Sequence, residues 1–214
     1  MERRKLVLKI VLVGEYGVGK SSLFRRFAYD TFVDSSDRSS TLGFDHFERT
    51  YLIDGKQVVL QLWDTGGLER VASVTTSYFK NADGAILCFA HDQLESFNAL
   101  SQHILEVVSS SESAKLFLCG TRADLRSEHL GPSEQDIATF YRENQVSENE
   151  NLFSKQFTTS SKQNTGVQEM FREVAEILAQ SHRPLMPNPD HFRLRSSSLQ
   201  SPQSSSCCSN SPQS

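Results

Sequence analysis

A glycine-rich segment near the N-terminus has the residue types and spacing that bind phosphate. It reads Gly14-Glu15-Tyr16-Gly17-Val18-Gly19-Lys20-Ser21 and matches the pattern GxxxxGK followed by serine or threonine. In such a loop, backbone N–H groups converge on phosphate oxygens, the lysine adds a positive charge and the serine hydroxyl binds Mg²⁺. We therefore expect nucleotide contacts from Gly14, Gly17, Val18, Gly19, Lys20, Ser21 and Ser22.

An acidic residue followed by two glycines forms the second candidate group. Asp64 stands at the end of an alternating apolar pattern, in the segment Trp63-Asp64-Thr65-Gly66-Gly67. A carboxylate there can hold the water shell of Mg²⁺, and the N–H of Gly67 can meet a terminal phosphate. A strand-terminal aspartate is otherwise a common turn residue, so the metal role of Asp64 depends on the phosphate loop upstream.

Two further segments carry groups suited to a guanine base. Asp124 can accept hydrogen bonds from both the ring N–H and the exocyclic amine of guanine, a pair that adenine does not offer. In Thr158-Thr159-Ser160-Ser161-Lys162, small residues and backbone N–H groups would face the guanine carbonyl. We therefore expect base contacts from Thr121, Arg122, Asp124, Ser160, Ser161 and Lys162.

Alternating strand and helix patterns would position these groups. Apolar and β-branched runs predict six strands at 5–13, 47–53, 57–63, 85–89, 116–119 and 157–158, the second and third joined in a hairpin by Asp54-Gly55. Helical spacing predicts helices at 20–29 and near 69–80, 94–109, 133–144 and 165–180. This order predicts a three-layer α/β domain over residues 1–181, with a mostly parallel six-stranded sheet, one antiparallel edge strand and helices on both faces.

Composition limits the other classes of function. The net charge of −4 over 214 residues argues against nucleic acid as a partner. The cysteines at 88, 119, 207 and 208 form no pattern typical of secreted disulfide proteins, which predicts a reducing cytosolic compartment. We expect neither a signal peptide nor a membrane span, because no apolar run approaches about 20 residues. Prolines and serines predict a disordered tail over 182–214.

With these motifs in order, residues 5–181 resemble the Ras superfamily of small GTPases and, within it, the Rab proteins. The resemblance also rests on Ser40-Thr41-Leu42-Gly43-Phe44-Asp45, Leu62-Trp63-Asp64-Thr65, Ser77-Tyr78-Phe79-Lys80-Asn81-Ala82 and Glu95-Ser96-Phe97-Asn98. It implies a P-loop GTPase that binds GTP and GDP with Mg²⁺, and it implies that Thr41 coordinates the metal together with Ser21 and Asp64. It further implies that Phe32 packs edge-on against guanine.

The catalytic positions of the family correspond to Lys20, Thr41, Gly67 and Leu68. Leu68 stands where the family carries the glutamine that orients the attacking water, and leucine has no hydrogen-bonding group. We therefore expect slow GTP hydrolysis unless the neighbouring Glu69 serves the water instead. Tyr16 replaces a small residue, and its ring either crowds the path of an arginine finger from an activating protein or lies on the loop surface.

The base motif also departs from the family pattern. Thr121-Arg122 stands where Asn-Lys is usual, and Ser161 replaces an alanine. Either the guanidinium plane of Arg122 or its apolar stem can lie along the base. Affinity is expected to fall while guanine specificity is kept, because Asp124 is kept. The segment 33–40 is longer and more polar than the Rab pattern, which predicts poor closure of the first switch.

The resemblance also implies membrane attachment and a set of partners. Cys207 and Cys208 stand where Rab proteins receive two geranylgeranyl groups, although six residues follow them here. Two lipid chains would anchor stably, and the alternative is an unmodified tail. The expected partners are an exchange factor, an activating protein, Rab escort and GDP-dissociation inhibitor proteins, and effectors that contact residues 34–46 and 65–80.

Two functions remain open at this stage. The first is a monomeric, cytoplasmic switch in vesicle trafficking that hydrolyses GTP slowly and lies on the cytosolic face of an endomembrane once prenylated. The second is a constitutively GTP-bound scaffold that recruits effectors with negligible GTPase activity. Loss of nucleotide binding is disfavoured, because the phosphate-loop, metal and base residues are present.

Overall fold

A computed structural model describes residues 5–33, 45–64, 78–126, 130–147 and 150–182, all within the unit Met1–Arg183. The strands in these ranges are β1 (Leu6–Val13), β2 (Asp45–Ile53), β3 (Lys56–Asp64), β4 (Gly84–Ala90), β5 (Lys115–Thr121), β6 (Gln145–Ser147), β7 (Glu150–Asn151) and β8 (Phe153–Thr158). The helices are α1 (Lys20–Tyr29), α2 (Leu94–Asn98), α3 (Leu100–Ser110), α4 (Glu134–Glu143) and α5 (Val167–Ser181).

Six of the strands form one sheet in the order β2-β3-β1-β4-β5-β8. Neighbouring strands are parallel throughout, except that β2 runs antiparallel to β3 at the edge. Asp54 and Gly55 both have positive φ, 47° and 72°, which is the backbone form that a two-residue hairpin turn requires. The predicted sheet, with its antiparallel edge strand and its hairpin, is confirmed.

Apolar side chains alternate between the two faces of the sheet and so create two cores. Along β1, Ile10 and Leu12 pack with α1 and α5 on one face, while Val11 and Val13 pack with α2, α3 and α4 on the other. This alternation follows from the two-residue period of a strand buried on both sides. The predicted three-layer architecture is therefore confirmed. In the described ranges, no helix has the length and apolar character needed to cross a bilayer.

Most element ends differ from the sequence prediction by one or two residues, and three differences are larger. The single helix predicted at 94–109 is divided at Ala99, where the Gln102 N–H bonds the carbonyl three residues back and tightens the turn. β8 begins at Phe153, before the predicted start at 157. Phe153 is buried, but the three polar residues that follow it show no apolar alternation from which the start of a strand could be predicted. The short hairpin of β6 and β7 was not predicted. Most of the helix predicted near 69–80 lies outside the described residues.

The two cysteines of the domain core are free thiols. Cys88 on β4 and Cys119 on β5 are register partners on neighbouring strands, and both are buried. A hydrogen bond with Cys119, and then burial, raise the pKa of the Cys88 thiol. Both thiols are enclosed and out of reach of other reactants, so these cysteines serve as small apolar core residues.

His91 follows β4 and is buried together with both of its ring nitrogens. Its side chain is 1% exposed, and neither Nδ1 nor Nε2 has a hydrogen-bond partner in the part of the chain that the structure describes. The ring fits against Gly120, where an added Cβ would lie 2.4 Å from Nε2. Burial, and then the positive charge of Arg126, lower the pKa of His91 to about 4.

We expect the free energy of unfolding to fall by about 2 kcal/mol between pH 7.5 and pH 5 on account of His91 alone. The unfolded chain protonates this residue near pH 6.5, whereas the folded chain keeps it neutral down to about pH 4. The unfolded state therefore binds more protons across the window, and stability decreases as pH falls. Urea unfolding of wild type and His91→Phe at both pH values measures this, and equal losses in the two proteins would contradict it.

Candidate functional site

The predicted binding residues lie in loops that follow the carboxyl ends of the parallel strands. Because five strands are parallel, their carboxyl ends lie on the same side, and loops after such strands form the usual ligand crevice. The Leu12–Asp64 register pair sets the end of β3 beside the phosphate loop that follows β1. Gly120 and Thr158 pair in the same way near the ends of β5 and β8. Segments far apart in sequence are thus adjacent.

The phosphate loop depends on glycine at defined positions. Gly14, Gly17 and Gly19 have φ values of 141°, 81° and 104°, which side-chain-bearing residues rarely adopt. A Cβ on Gly14 would also lie 2.2 Å from the carbonyl oxygen of Cys88. The loop therefore starts in direct backbone contact with β4. Gly19 ends it as the N-cap of α1, so that the free N–H groups of the helix start face the loop.

Lys20 is enclosed by this loop. Its side chain is 4% exposed, and Nζ donates hydrogen bonds to the carbonyl oxygens of Gly14 at 2.6 Å and Glu15 at 2.8 Å. Val18 is fully buried beneath the loop, while Ser21 and Ser22 lie in the first turn of α1 and are partly exposed. The arrangement directs a positive charge and the helix N-terminus toward the same point, as binding of a phosphate requires.

Asp64 ends β3 as a fully buried carboxylate. Tyr78 is close enough to be affected by this charge: burial, and then the negative charge of Asp64, raise the pKa of the Tyr78 phenol to about 12. A buried acidic group at the phosphate edge suits a cation, since oxygen ligands of this type hold Mg²⁺. Thr41, which the resemblance implies as a metal ligand together with Ser21 and Asp64, lies outside the described residues.

Thr121 connects the base motif to the phosphate loop. Its hydroxyl oxygen lies 2.5 Å from the Val18 carbonyl oxygen and 3.0 Å from that of Phe89. A hydroxyl has one proton, so it donates to one of these carbonyls at a time. Thr121 is 2% exposed, and a buried bond of this kind resists competition from water. The segment predicted to contact the base is therefore hydrogen-bonded to the phosphate loop.

Arg122 makes a second connection between the two loops. Its Nη1 lies 2.9 Å and 3.3 Å from the two carboxylate oxygens of Asp92, and its Nη2 donates to the Gly17 carbonyl. The residue has a positive φ of 55° at the end of β5. With the guanidinium held in this way, the apolar stem is the part of Arg122 that remains for a base. Of the two interpretations, the contacts favour the stem.

The two base segments are hydrogen-bonded to each other. The Ser160 hydroxyl donates to Oδ1 of Asp124 at 2.5 Å, and the Ala123 N–H donates to the Thr159 carbonyl at 3.0 Å. Arg26 on α1 donates from Nε to the Ser161 carbonyl at 2.8 Å. Asp124 is thus oriented by a hydroxyl from the neighbouring segment. Lys162, the last predicted base residue, is exposed at the surface.

The other predicted residues fall into two groups. Phe32 is partly buried just beyond α1, and Tyr16 is 51% exposed on the phosphate loop, in agreement with a surface position for its ring. The remaining predictions lie outside the described residues: Thr41, Gly67, Leu68, Glu69, Cys207, Cys208, and nearly all of the segments 34–46 and 65–80.

Asp92 and Arg26 were not predicted from the sequence. Asp92 meets Arg122 across 30 residues, and Arg26 meets Ser161 across 135. Neither residue belongs to a motif, and each acts through a contact that only the folded sheet creates. The one available signal was chemical, because an arginine at a position that usually carries lysine calls for an acidic partner nearby.

The structure places a phosphate loop between a strand and a helix, and the predicted base residues follow two neighbouring parallel strands. This arrangement is that of a P-loop domain of the small GTPase type. The sequence model of the Ras family matches residues 9–180, and the chain belongs to this family.

Rab proteins are among its similar relatives. It is 34% identical over 177 residues to Ras-related protein Rab-1C of Dictyostelium discoideum, covering 82% of this chain and 83% of the relative. It is 35% identical over 185 residues to Ras-related protein Rab-18 of Lymnaea stagnalis, covering 85% and 86%. It is 34% identical over 208 residues to GTP-binding protein YPTM2 of Zea mays, covering 95% and 96%. The chain is thus a Rab-like small GTPase.

We expect Gly14→Ala to destabilise the protein by about 3–5 kcal/mol. The added Cβ would clash with the Cys88 backbone, and alanine would be strained at the φ of 141° that glycine adopts here. Gly17→Ala is the matched control. It has a positive φ but nothing within 4 Å of the added Cβ, so a cost of only about 1–2 kcal/mol is expected. Chemical denaturation gives both values. Equal losses would show that contact with β4 is not what requires glycine at position 14.

Proposed function

We propose that this protein is a membrane-associated molecular switch of vesicle trafficking that binds GTP and GDP with Mg²⁺ and hydrolyses GTP slowly. The observation that carries the proposal is the bond between the Thr121 hydroxyl and the Val18 carbonyl. A site that only binds phosphate has no need to fasten a base loop to its phosphate loop. A nucleotide extends from one loop to the other, so their spacing decides whether it fits.

The base loop supports guanine as the nucleotide. Asp124 is held by Ser160 through one carboxylate oxygen, which leaves lone pairs on both oxygens to accept from the ring N–H and the amine of guanine. Adenine presents an acceptor where guanine presents its ring N–H, so the partly buried carboxylate of Asp124 would be left facing a lone pair. Mismatches of this kind are strongly rejected in binding sites.

The metal preference follows from the donor set at the phosphate edge. Ser21 and Thr41 would offer hydroxyl oxygens and Asp64 a carboxylate, all of them hard oxygen donors that suit Mg²⁺. The bound ion would supply positive charge beside the phosphate oxygens. Asp64 is fully buried, and a cation nearby would offset the cost of enclosing its charge.

Hydrolysis is expected to be slow because Leu68 cannot orient a water molecule. Loss of one positioned polar group in an active site typically costs on the order of 10²–10³ in rate. Lys20 and the N–H groups of the phosphate loop would still stabilise charge on the leaving phosphates. A chain that keeps GTP in this way could also act as a constitutively GTP-bound scaffold for effectors, which is the second candidate function.

Attachment to a membrane would come from the tail. Two geranylgeranyl groups on Cys207 and Cys208 would hold the protein on the cytosolic face of an endomembrane. Family membership supports exchange factors, activating proteins, escort and GDP-dissociation inhibitor proteins and effectors as partners. The effectors would contact residues 34–46 and 65–80, the segments that respond to the γ-phosphate.

We expect Asp124→Asn to weaken GDP binding by at least about 100-fold, since the amide donates where guanine also donates. The affinity of this variant for xanthosine diphosphate should rise, because xanthine carries a carbonyl in place of the guanine amine. Competition binding with GDP, ADP and xanthosine diphosphate measures the change. Asp92→Asn is a control that leaves the Asp124 carboxylate in place, so this variant should still bind GDP more tightly than xanthosine diphosphate. Purified protein whose site contains no guanine nucleotide would overturn the proposed function.

We expect Leu68→Gln to speed single-turnover hydrolysis of bound GTP by about 10²-fold, because the amide restores a group that orients water. Leu68→Met provides a control of similar volume without that group and should hydrolyse GTP as slowly as wild type. Equal rates in the glutamine variant and wild type would favour the scaffold function and would imply a further obstacle to catalysis.

A further inference from the structure

His103 on α3 makes a polar contact with the phosphate loop that no motif accounts for. Its side chain is 8% exposed, and Nε2 lies 3.1 Å from a carboxylate oxygen of Glu15. Its other nitrogen, Nδ1, lies 3.4 Å from a carboxylate oxygen of Glu106, one turn along α3. A buried imidazole is thus held between two carboxylates, one on the loop and one on the helix.

The contact reaches the binding machinery through the Glu15 backbone. The side chain of Glu15 meets His103, while its carbonyl oxygen accepts a hydrogen bond from Nζ of Lys20 at 2.8 Å. Glu15 also follows Gly14, whose backbone contacts β4. The first residues of the phosphate loop are therefore held from two sides. One side is the sheet, and the other is α3.

Packing alone does not explain a histidine at this position. The residues of α3 that face the sheet are apolar, namely Leu100, Ile104 and Val107, and an apolar ring would fill the same volume at position 103. Carboxylates only accept hydrogen bonds, so a singly protonated imidazole donates to one of its two neighbours, and a doubly protonated one donates to both. Such charge-assisted bonds are stronger than neutral ones.

We propose that His103 is a positioning residue that fixes the start of the phosphate loop and thereby slows nucleotide release. Release requires the loop to loosen its hold on the phosphates. A contact that fastens Glu15 to a packed helix opposes this movement. The inference rests on the proposed nucleotide binding, and it adds a determinant of residence time that lies outside the nucleotide motifs.

The test measures release of a fluorescent GDP analogue from the full-length protein in the presence of excess unlabelled GDP. His103→Phe keeps a ring of similar volume but removes both polar contacts, and we expect release about five- to thirtyfold faster. His103→Gln retains donors and should remain within about threefold of wild type. Leu105→Ala, a change on the exposed face of α3, is the control and should release GDP as wild type does.

Glu15→Ala tests the same contact from an exposed side chain, which is 47% exposed and carries little risk to folding. It should speed release to a similar degree, and the double variant with His103→Phe should be no faster than either single variant. Additive effects of the two changes would overturn the inference. So would bound GDP that leaves His103→Phe and Glu15→Ala at the wild-type rate. A wild-type protein that binds no GDP would instead overturn the proposed function, and this inference with it.

Discussion

The parallel alignment of five strands is the constraint on which the site depends. It brings the carboxyl ends of β1, β3, β5 and β8 to one edge, although their loops are separated by more than 140 residues of chain from Gly14 to Thr158. The two cores on either face fix the strands in this register, because each strand presents alternate apolar residues to both helix layers. The crevice at that edge is therefore a consequence of the packing beneath it.

Hydrogen bonds between the loops then set their spacing. Thr121 reaches the Val18 carbonyl, Arg122 reaches both Asp92 and the Gly17 carbonyl, and Ser160 orients Asp124. The Thr121 bond is buried, where a satisfied polar contact resists competition from water, while the bonds of Arg122 and Ser160 are partly buried or exposed. The exchange of the usual Asn-Lys pair for Thr-Arg is thus accommodated by an acidic partner and by backbone carbonyls, rather than by a change of fold.

Much of the fold could be predicted because its signals are local. The apolar period of two, the helical spacing and the Asp54-Gly55 turn each occur within a few residues, and the mostly parallel sheet follows from the alternation of strands and helices. The start of β8 and the division of the helix at Ala99 were not predicted, because neither has a clear local signal in the sequence. Half-buried strand residues show little alternation, and a single tightened turn has no distinctive composition.

The sequence by itself determined which chemical groups the site contains: a phosphate-loop motif, a carboxylate at Asp64 proposed to hold the metal, a carboxylate at Asp124 proposed to contact guanine, and a leucine in place of the usual glutamine. Only the tertiary structure decided how these groups are held. Asp92, Arg26 and His103 act through contacts across 30, 135 and 88 residues, and no local pattern encodes such pairings. Residue type sets what a side chain can bind, whereas its neighbours in space are chosen by the packing of the whole domain.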